Sequence, residues 1–186
     1  MLERYSPQEA AAVVGVPLAV IQKAITAGRI PAHTVGASKR RQLDETALLA
    51  FALAAALPDD MNLSPGSAYR LLNLRSATTS ELTIGDYVRI DADKALAATR
   101  GRLELYDHAR DLIIRDPAVM GGTPVIKGTR ITAQSILGRI EDGDSIESIV
   151  EDYPSLDRDT VEAAALYAKA NPPRGRPSGK LWRRAS

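Results

Sequence analysis

No cysteine occurs among the 186 residues. Disulfides and thiolate metal sites are therefore excluded, and the chain fits a reducing compartment such as the cytoplasm. Histidine is nearly as scarce: His33 and His108 are the only two, far apart in sequence. A zinc site or a catalytic triad would need a remote constellation, and none is evident. No apolar run reaches the roughly 20 residues that cross a bilayer. The longest candidate, residues 47–57, is too short and follows acidic residues, so no membrane partner is expected. The start, Met1-Leu2-Glu3-Arg4-Tyr5, lacks the basic and apolar regions of a secretion signal.

What is present is an ordinary globular mixture, 45% hydrophobic and 25% charged, with a net charge of +1. The near-neutral total hides two opposed regions. Residues 107–171 hold twelve acids against seven bases, a net of −5. From Pro172 onward there are five bases (Arg174, Arg176, Lys180, Arg183, Arg184) and no acid. A basic end of this kind meets a polyanion or an acidic pocket, or else serves as a solvated, disordered end.

The chain divides into segments 1–58, 59–106 and 107–171, with a tail at 172–186. In the first, Ser6-Pro7-Gln8-Glu9 is a capping box with proline at the first helical position. A short helix carries Ala10, Val13 and Val14 inward and ends at Gly15. Pro17 opens a second helix with Leu18, Ile21 and Ile25 at helical spacing, and Gly28 closes it. Residues 32–35, a Gly36-Ala37-Ser38 turn and the basic run Lys39-Arg40-Arg41 predict a two-stranded wing. Asp44 caps a third helix over 45–57.

That order is the order of a winged helix-turn-helix. Tyr5-Ser6-Pro7 with Glu9-Ala10-Ala11, Val13-Val14-Gly15-Val16 and Ala27-Gly28-Arg29-Ile30-Pro31 resemble the MerR and excisionase-like group over about 55 residues. The wing cations Lys39, Arg40 and Arg41, with Gln22, Lys23, Thr26 and Arg29 on the polar side of the second helix, are the expected DNA contacts. The wing tracks phosphates while the helix enters the major groove. The competing reading is a solvated charged loop.

The middle segment predicts a short helix through Leu74, a hairpin of residues 82–84 and 87–90 around Gly85-Asp86, and a helix from Asp91 to Tyr106. Its expected role is support and spacing. In the third segment Leu112-Ile113-Ile114 and Val125-Ile126 read as strands around Gly121-Gly122-Thr123-Pro124. Three helices follow, over 132–141, 145–152 and 157–170, with Asp144 and Glu147 capping the second. Gly121, Gly122 and Gly128 are expected at positive φ. Lys127, Thr129 and Arg130 read as a structural loop before a phosphate contact. The abundant carboxylates (Glu141, Asp142, Asp144, Glu147, Glu151 and Asp152 among them) lie at spacings of solvated faces. There is no nucleophile beside a base, no metal ligand set, and no GxGxxG or Walker pattern. Neither an enzyme nor a cofactor is expected.

Asp116-Pro117, Met120-Gly121-Gly122-Thr123-Pro124-Val125-Ile126, Gly128-Thr129-Arg130-Ile131 and Glu151-Asp152-Tyr153-Pro154 together resemble the signature of a small domain of VapB-type antitoxins, encoded beside PIN-like ribonuclease toxins. The resemblance covers about 60 residues and implies a trihelical, homodimerising module. Arg174-Gly175-Arg176-Pro177 is similar to the tails of these antitoxins. The expected fold is α+β, mainly α, with a winged helix-turn-helix, a hairpin-containing middle, a trihelical dimerisation module and an extended basic tail. The expected function is an antitoxin that neutralises a PIN-like ribonuclease toxin and represses its own operon at operator DNA.

In that reading Pro172-Pro173 stops the last helix and sets an extended course. Arg174, Arg176, Lys180 and Arg183 meet an acidic nuclease pocket through charge-assisted, forked bonds, and Leu181 and Trp182 anchor the segment on an apolar groove. The core Pro173-Arg174-Gly175-Arg176-Pro177 equally matches an AT-hook for narrow minor grooves. That alternative describes a stand-alone regulator.

Overall fold

The computed structural model describes residues 4–36, 40–58, 61, 63–74, 81–84 and 88–173. Among these residues the chain is mainly helical, with three separate two-stranded antiparallel sheets.

The N-terminal capping box forms as the sequence dictates. Ser6 Oγ accepts from the Glu9 backbone N–H at 3.2 Å, and Glu9 Oε2 accepts from the Ser6 N–H at 2.6 Å. Helix α1, Pro7–Val14, ends where Gly15 turns left-handed at φ 83°. Helix α2 spans Leu18–Thr26 and is closed by Gly28 at φ 66°. Strands β1 (His33–Val35) and β2 (Arg40–Gln42) then pair, with Thr34 opposite Arg41 and Val35 opposite Arg40. Reciprocal backbone bonds of 2.9 and 2.8 Å between Tyr5 and Leu43 tie the start of the chain to the end of this hairpin. Asp44 caps α3, Glu45–Ala56, by accepting from the Ala47 N–H at 2.8 Å.

Helix α3 buries Ala47, Leu48, Ala50, Phe51, Ala52 and Leu53. That is nearly its whole circumference, because α1, α4 (Pro65–Leu74) and α5 (Ala92–Leu112) each cover one side. Strands β3 (Glu81–Ile84) and β4 (Val88–Asp91) form a second hairpin with Leu82 and Ile90 facing each other in the core. Asp91 caps α5, Ala92–Leu112.

Helix α5 corrects the expected helix end at Tyr106. The buried stripe Leu96, Leu103 and Tyr106 continues at helical spacing through Ala109, and no glycine or proline follows Tyr106 before Pro117. The helix therefore crosses the position where the third segment was placed to begin, and Leu112 is its last residue. Arg102 on α5 donates to the Ala12 carbonyl and so satisfies one of the orphan acceptors at the end of α1. Burial holds the Arg102 guanidinium below its ordinary value.

Beyond α5, β5 (Ile113–Ile114) pairs with β6 (Val125–Ile126) across a turn containing a short 3-10 helix, Met120–Gly122. Gly121, Gly122 and Gly128 all take positive φ, as their positions in the turns require. Thr129 is structural: its hydroxyl donates to the Ile126 carbonyl at 2.8 Å and accepts from the Ile131 N–H at 3.0 Å. Helices α6 (Ala133–Glu141), α7 (Ile146–Asp152) and α8 (Arg158–Ala170) follow. The cap of α7 is Ser145, which accepts from the Ser148 N–H. The expected cap, Asp144, is engaged by Arg139.

Two apolar cores result. One gathers α1 to α5 and both hairpin ends; the other joins Ile113 and Ile126 to Ile136, Ile149, Leu156 and Val161. Helix α8 belongs to both. Val161, Ala164 and Ala168 face the second core, while Leu166 and Ala170, offset by helical spacing, enter the first. No helix among the described residues is long and apolar enough to cross a membrane.

Candidate nucleic-acid interface

Helix α2 buries Ile21, Ala24 and Ile25, which fixes what its other side shows. Ala19, Gln22, Lys23 and Thr26 stand on one exposed face at i, i+3, i+4 and i+7. The β1–β2 hairpin lies beside this face. Arg41 Nη1 donates to Thr26 Oγ1 at 3.4 Å, a direct link between the wing and the helix. The structure thus brings together Thr26 and Arg41 and places Gln22 and Lys23 on the same helical surface. Arg29, after Gly28, and Arg40, opposite Val35, are also exposed. Lys39 lies outside the described residues.

None of Lys23, Arg29, Arg40 and Arg41 has an ion pair with a carboxylate among the described residues. Four cations left open to solvent on one helix, its exit turn and the hairpin beside it suit a polyanion whose charges lie along a line. Two exposed apolar side chains, Val20 on α2 and Val35 on β1, escaped the sequence reading. Their signal was present: Val20 falls outside the buried stripe defined by Ile21 and Ile25.

Asp44 organises the base of the hairpin. Its Oδ1 caps α3 and its Oδ2 accepts from the Tyr69 hydroxyl of α4 at 3.2 Å. His33 Nε2 of β1 stands 3.9 Å from the same Oδ2. Burial, followed by the charge of Asp44, pushes the Tyr69 phenol up from its ordinary value, so it remains a donor.

The third segment arranges its charges differently. Arg139 donates to Asp144 and Asp152, each at 2.6 Å, and stacks over the Tyr153 ring at 5.6 Å. Its two carboxylates hold the guanidinium firmly protonated. Arg158 pairs with Glu147 and, at 3.0 Å, with Glu162. These cations are already neutralised.

The tail departs from the seam between the two cores. Asn171 Nδ2 donates to the Tyr106 hydroxyl and to the Tyr167 carbonyl, each at 3.0 Å. The Tyr106 hydroxyl in turn donates to Glu9 Oε1 at 2.7 Å. Glu9 therefore serves the capping box with one oxygen and the seam with the other. Burial and the Glu9 charge drive the Tyr106 phenol far above its ordinary value. A groove of about 780 Å³ opens here, lined by Ser6, Gln8, Arg115, Thr123, Asn171 and Pro173 among others. The tail residues predicted to meet a toxin (Arg174, Arg176, Lys180, Leu181, Trp182 and Arg183) lie outside the described residues.

Residues 113–168 match a family described as a protein of unknown function, DUF433. A relative from Sinorhizobium fredii, the uncharacterized protein y4eO, is 35% identical over 91 residues, covering 49% of this chain and 41% of that protein. The chain thus spans well under half of that relative's length. A crystal structure of Rv2018 from Mycobacterium tuberculosis aligns over 86% of this chain and 95% of that one, at 15% identity and a TM-score of 0.34, too distant a likeness to define the fold.

Proposed function

We propose that the chain is a DNA-binding autorepressor of antitoxin type, using α2 and the β1–β2 wing on duplex DNA and its basic tail on a PIN-like ribonuclease. The observation that carries the DNA-binding half is the junction of wing and helix. Arg41 reaches Thr26, so the open cations of both elements form one continuous surface. With α2 in a major groove, Gln22 and Lys23 face base edges, and Arg40 and Arg41 meet the flanking phosphates. The antitoxin half rests on the glycine-rich turn signature in the third segment and on the charge of the tail.

A gel-shift titration on DNA from upstream of the gene tests the first half. Arg40→Ala with Arg41→Ala should weaken binding about tenfold or more and lower its salt dependence by about two phosphates. Unchanged affinity would overturn the assignment of the wing. For the second half, the full-length chain is used as bait in its native host, beside a variant carrying Arg174→Ala and Arg176→Ala. A small nuclease captured by the first and lost from the second supports neutralisation through the tail. Absence of a nuclease from both would leave a plain DNA-binding regulator.

A further inference from the structure

Helix α4 lies in the segment expected to act only as a spacer, yet two contacts set it against the proposed DNA-binding surface. The first is a close approach. A Cβ added to Gly66 would stand 2.8 Å from the Arg29 carbonyl oxygen and 3.2 Å from Arg29 Cβ. The glycine is what lets α4 press directly on the turn leaving α2. The second contact is at the wing. Tyr69 of α4 and His33 of β1 meet the same oxygen of Asp44. Helix α4 is therefore fixed at both the exit of α2 and the root of the hairpin.

That placement decides where Arg70 goes. Gly66 and Arg70 are four residues apart and share a face of the helix, so Arg70 follows the side that meets Arg29. Arg70 is exposed, and its described hydrogen bond goes to the neutral hydroxyl of Ser67 at 3.2 Å. No acidic residue occurs anywhere in α4. A cation on this rim, without a carboxylate among the described residues, extends the row from Arg41 and Thr26 through Arg29.

We propose that α4 is a further DNA-facing element and that Arg70 contacts a backbone phosphate flanking the stretch read by α2. This rests on the DNA-binding reading above. Such a contact adds affinity and salt dependence without adding sequence preference.

The test is fluorescence anisotropy of the full-length chain on a mixed-sequence duplex of about 30 base pairs, titrated at several salt concentrations. Arg70→Ala should weaken binding about threefold or more and reduce the slope of log affinity against log salt by about one. Arg70→Lys should restore most of the slope, because a phosphate contact needs the charge and a packing role would not. Lys169→Ala, which removes an exposed cation on α8, should change neither. If the parent chain binds the duplex, the Arg40 and Arg41 variant loses affinity, and Arg70→Ala matches the parent in affinity and slope, the role of α4 is overturned while the wing assignment stands. If the parent chain does not bind duplex DNA, both fall.

Discussion

The cations of the helix-and-wing region and two arginines of the trihelical region, Arg139 and Arg158, have opposite surroundings. Arg139 is held by Asp144, in the turn before α7, and by Asp152 of α7, and Arg158 by Glu147 of α7 and Glu162 of α8. Lys23, Arg29, Arg40 and Arg41 meet none among the described residues. Residue type alone does not separate the two groups, since arginine appears in both. Partnership does. A neutralised arginine contributes to local geometry and offers little to an incoming phosphate, whereas an open one keeps its charge for a ligand. The lesson is to ask of each basic residue which acid already holds it.

The largest way to disturb this comparison is to lift the support from the N-terminal surface. Gly66→Ala puts a methyl group against the Arg29 backbone, which cannot rotate away, and overpacking of this kind costs about 1–3 kcal/mol. A lower urea midpoint together with weaker duplex binding is the expected result. Loss of stability with unchanged binding would separate α4 from the DNA surface. Next in size is the seam. Tyr106→Phe strips Glu9 Oε1 of its donor and Asn171 Nδ2 of one acceptor. Tyr106 is buried but Glu9 is only partly so, and a cost of about 1 kcal/mol in urea unfolding is expected, with the duplex affinity retained.

A smaller effect belongs to the trihelical region alone. Capping bonds to Thr160 hold the Asp157 carboxyl below its ordinary value of 3.8, and its own backbone N–H, then Arg158, hold Glu147 below 4.5. Depressed carboxylates stabilise the fold fully above those ordinary values. The contribution disappears as pH falls through them toward the lower folded-state values. Thermal unfolding followed from neutral pH down to about pH 3 should show this loss, and Asp157→Asn should blunt it. An identical acid profile in that variant would remove the cap from the account. The smallest change is expected from Arg158→Ala: a slight fall in melting temperature and no change in duplex affinity, because that cation is already paired.

Much of the fold was legible because its signals are local. The Ser6–Glu9 capping box, the Gly15 and Gly28 helix ends and the Asp44 cap are set by residues a few positions apart, and all appear where the sequence placed them. What escaped depends on distant partners. Helix α5 runs on past Tyr106 because Ala109 remains on its buried face. Asp144 yielded the α7 cap to Ser145 because Arg139 holds it. The candidate site divides the same way. Periodicity sufficed to expose Gln22, Lys23 and Thr26, and turn chemistry to set Arg40 and Arg41 on a hairpin. The approach of Gly66 to Arg29 joins residues 37 positions apart. A glycine inside a helix was its one local trace.

The proposal turns on Arg40 and Arg41, open cations of the wing, meeting DNA while the paired Arg139 and Arg158 do not. The most direct measurement compares two double variants of the full chain on the same duplex across a salt series: Arg40→Ala with Arg41→Ala, and Arg139→Ala with Arg158→Ala. The account predicts that the first pair loses about tenfold in affinity and about two from the salt slope, while the second retains both. Equal losses from the two pairs, or a larger loss from the second, would contradict it.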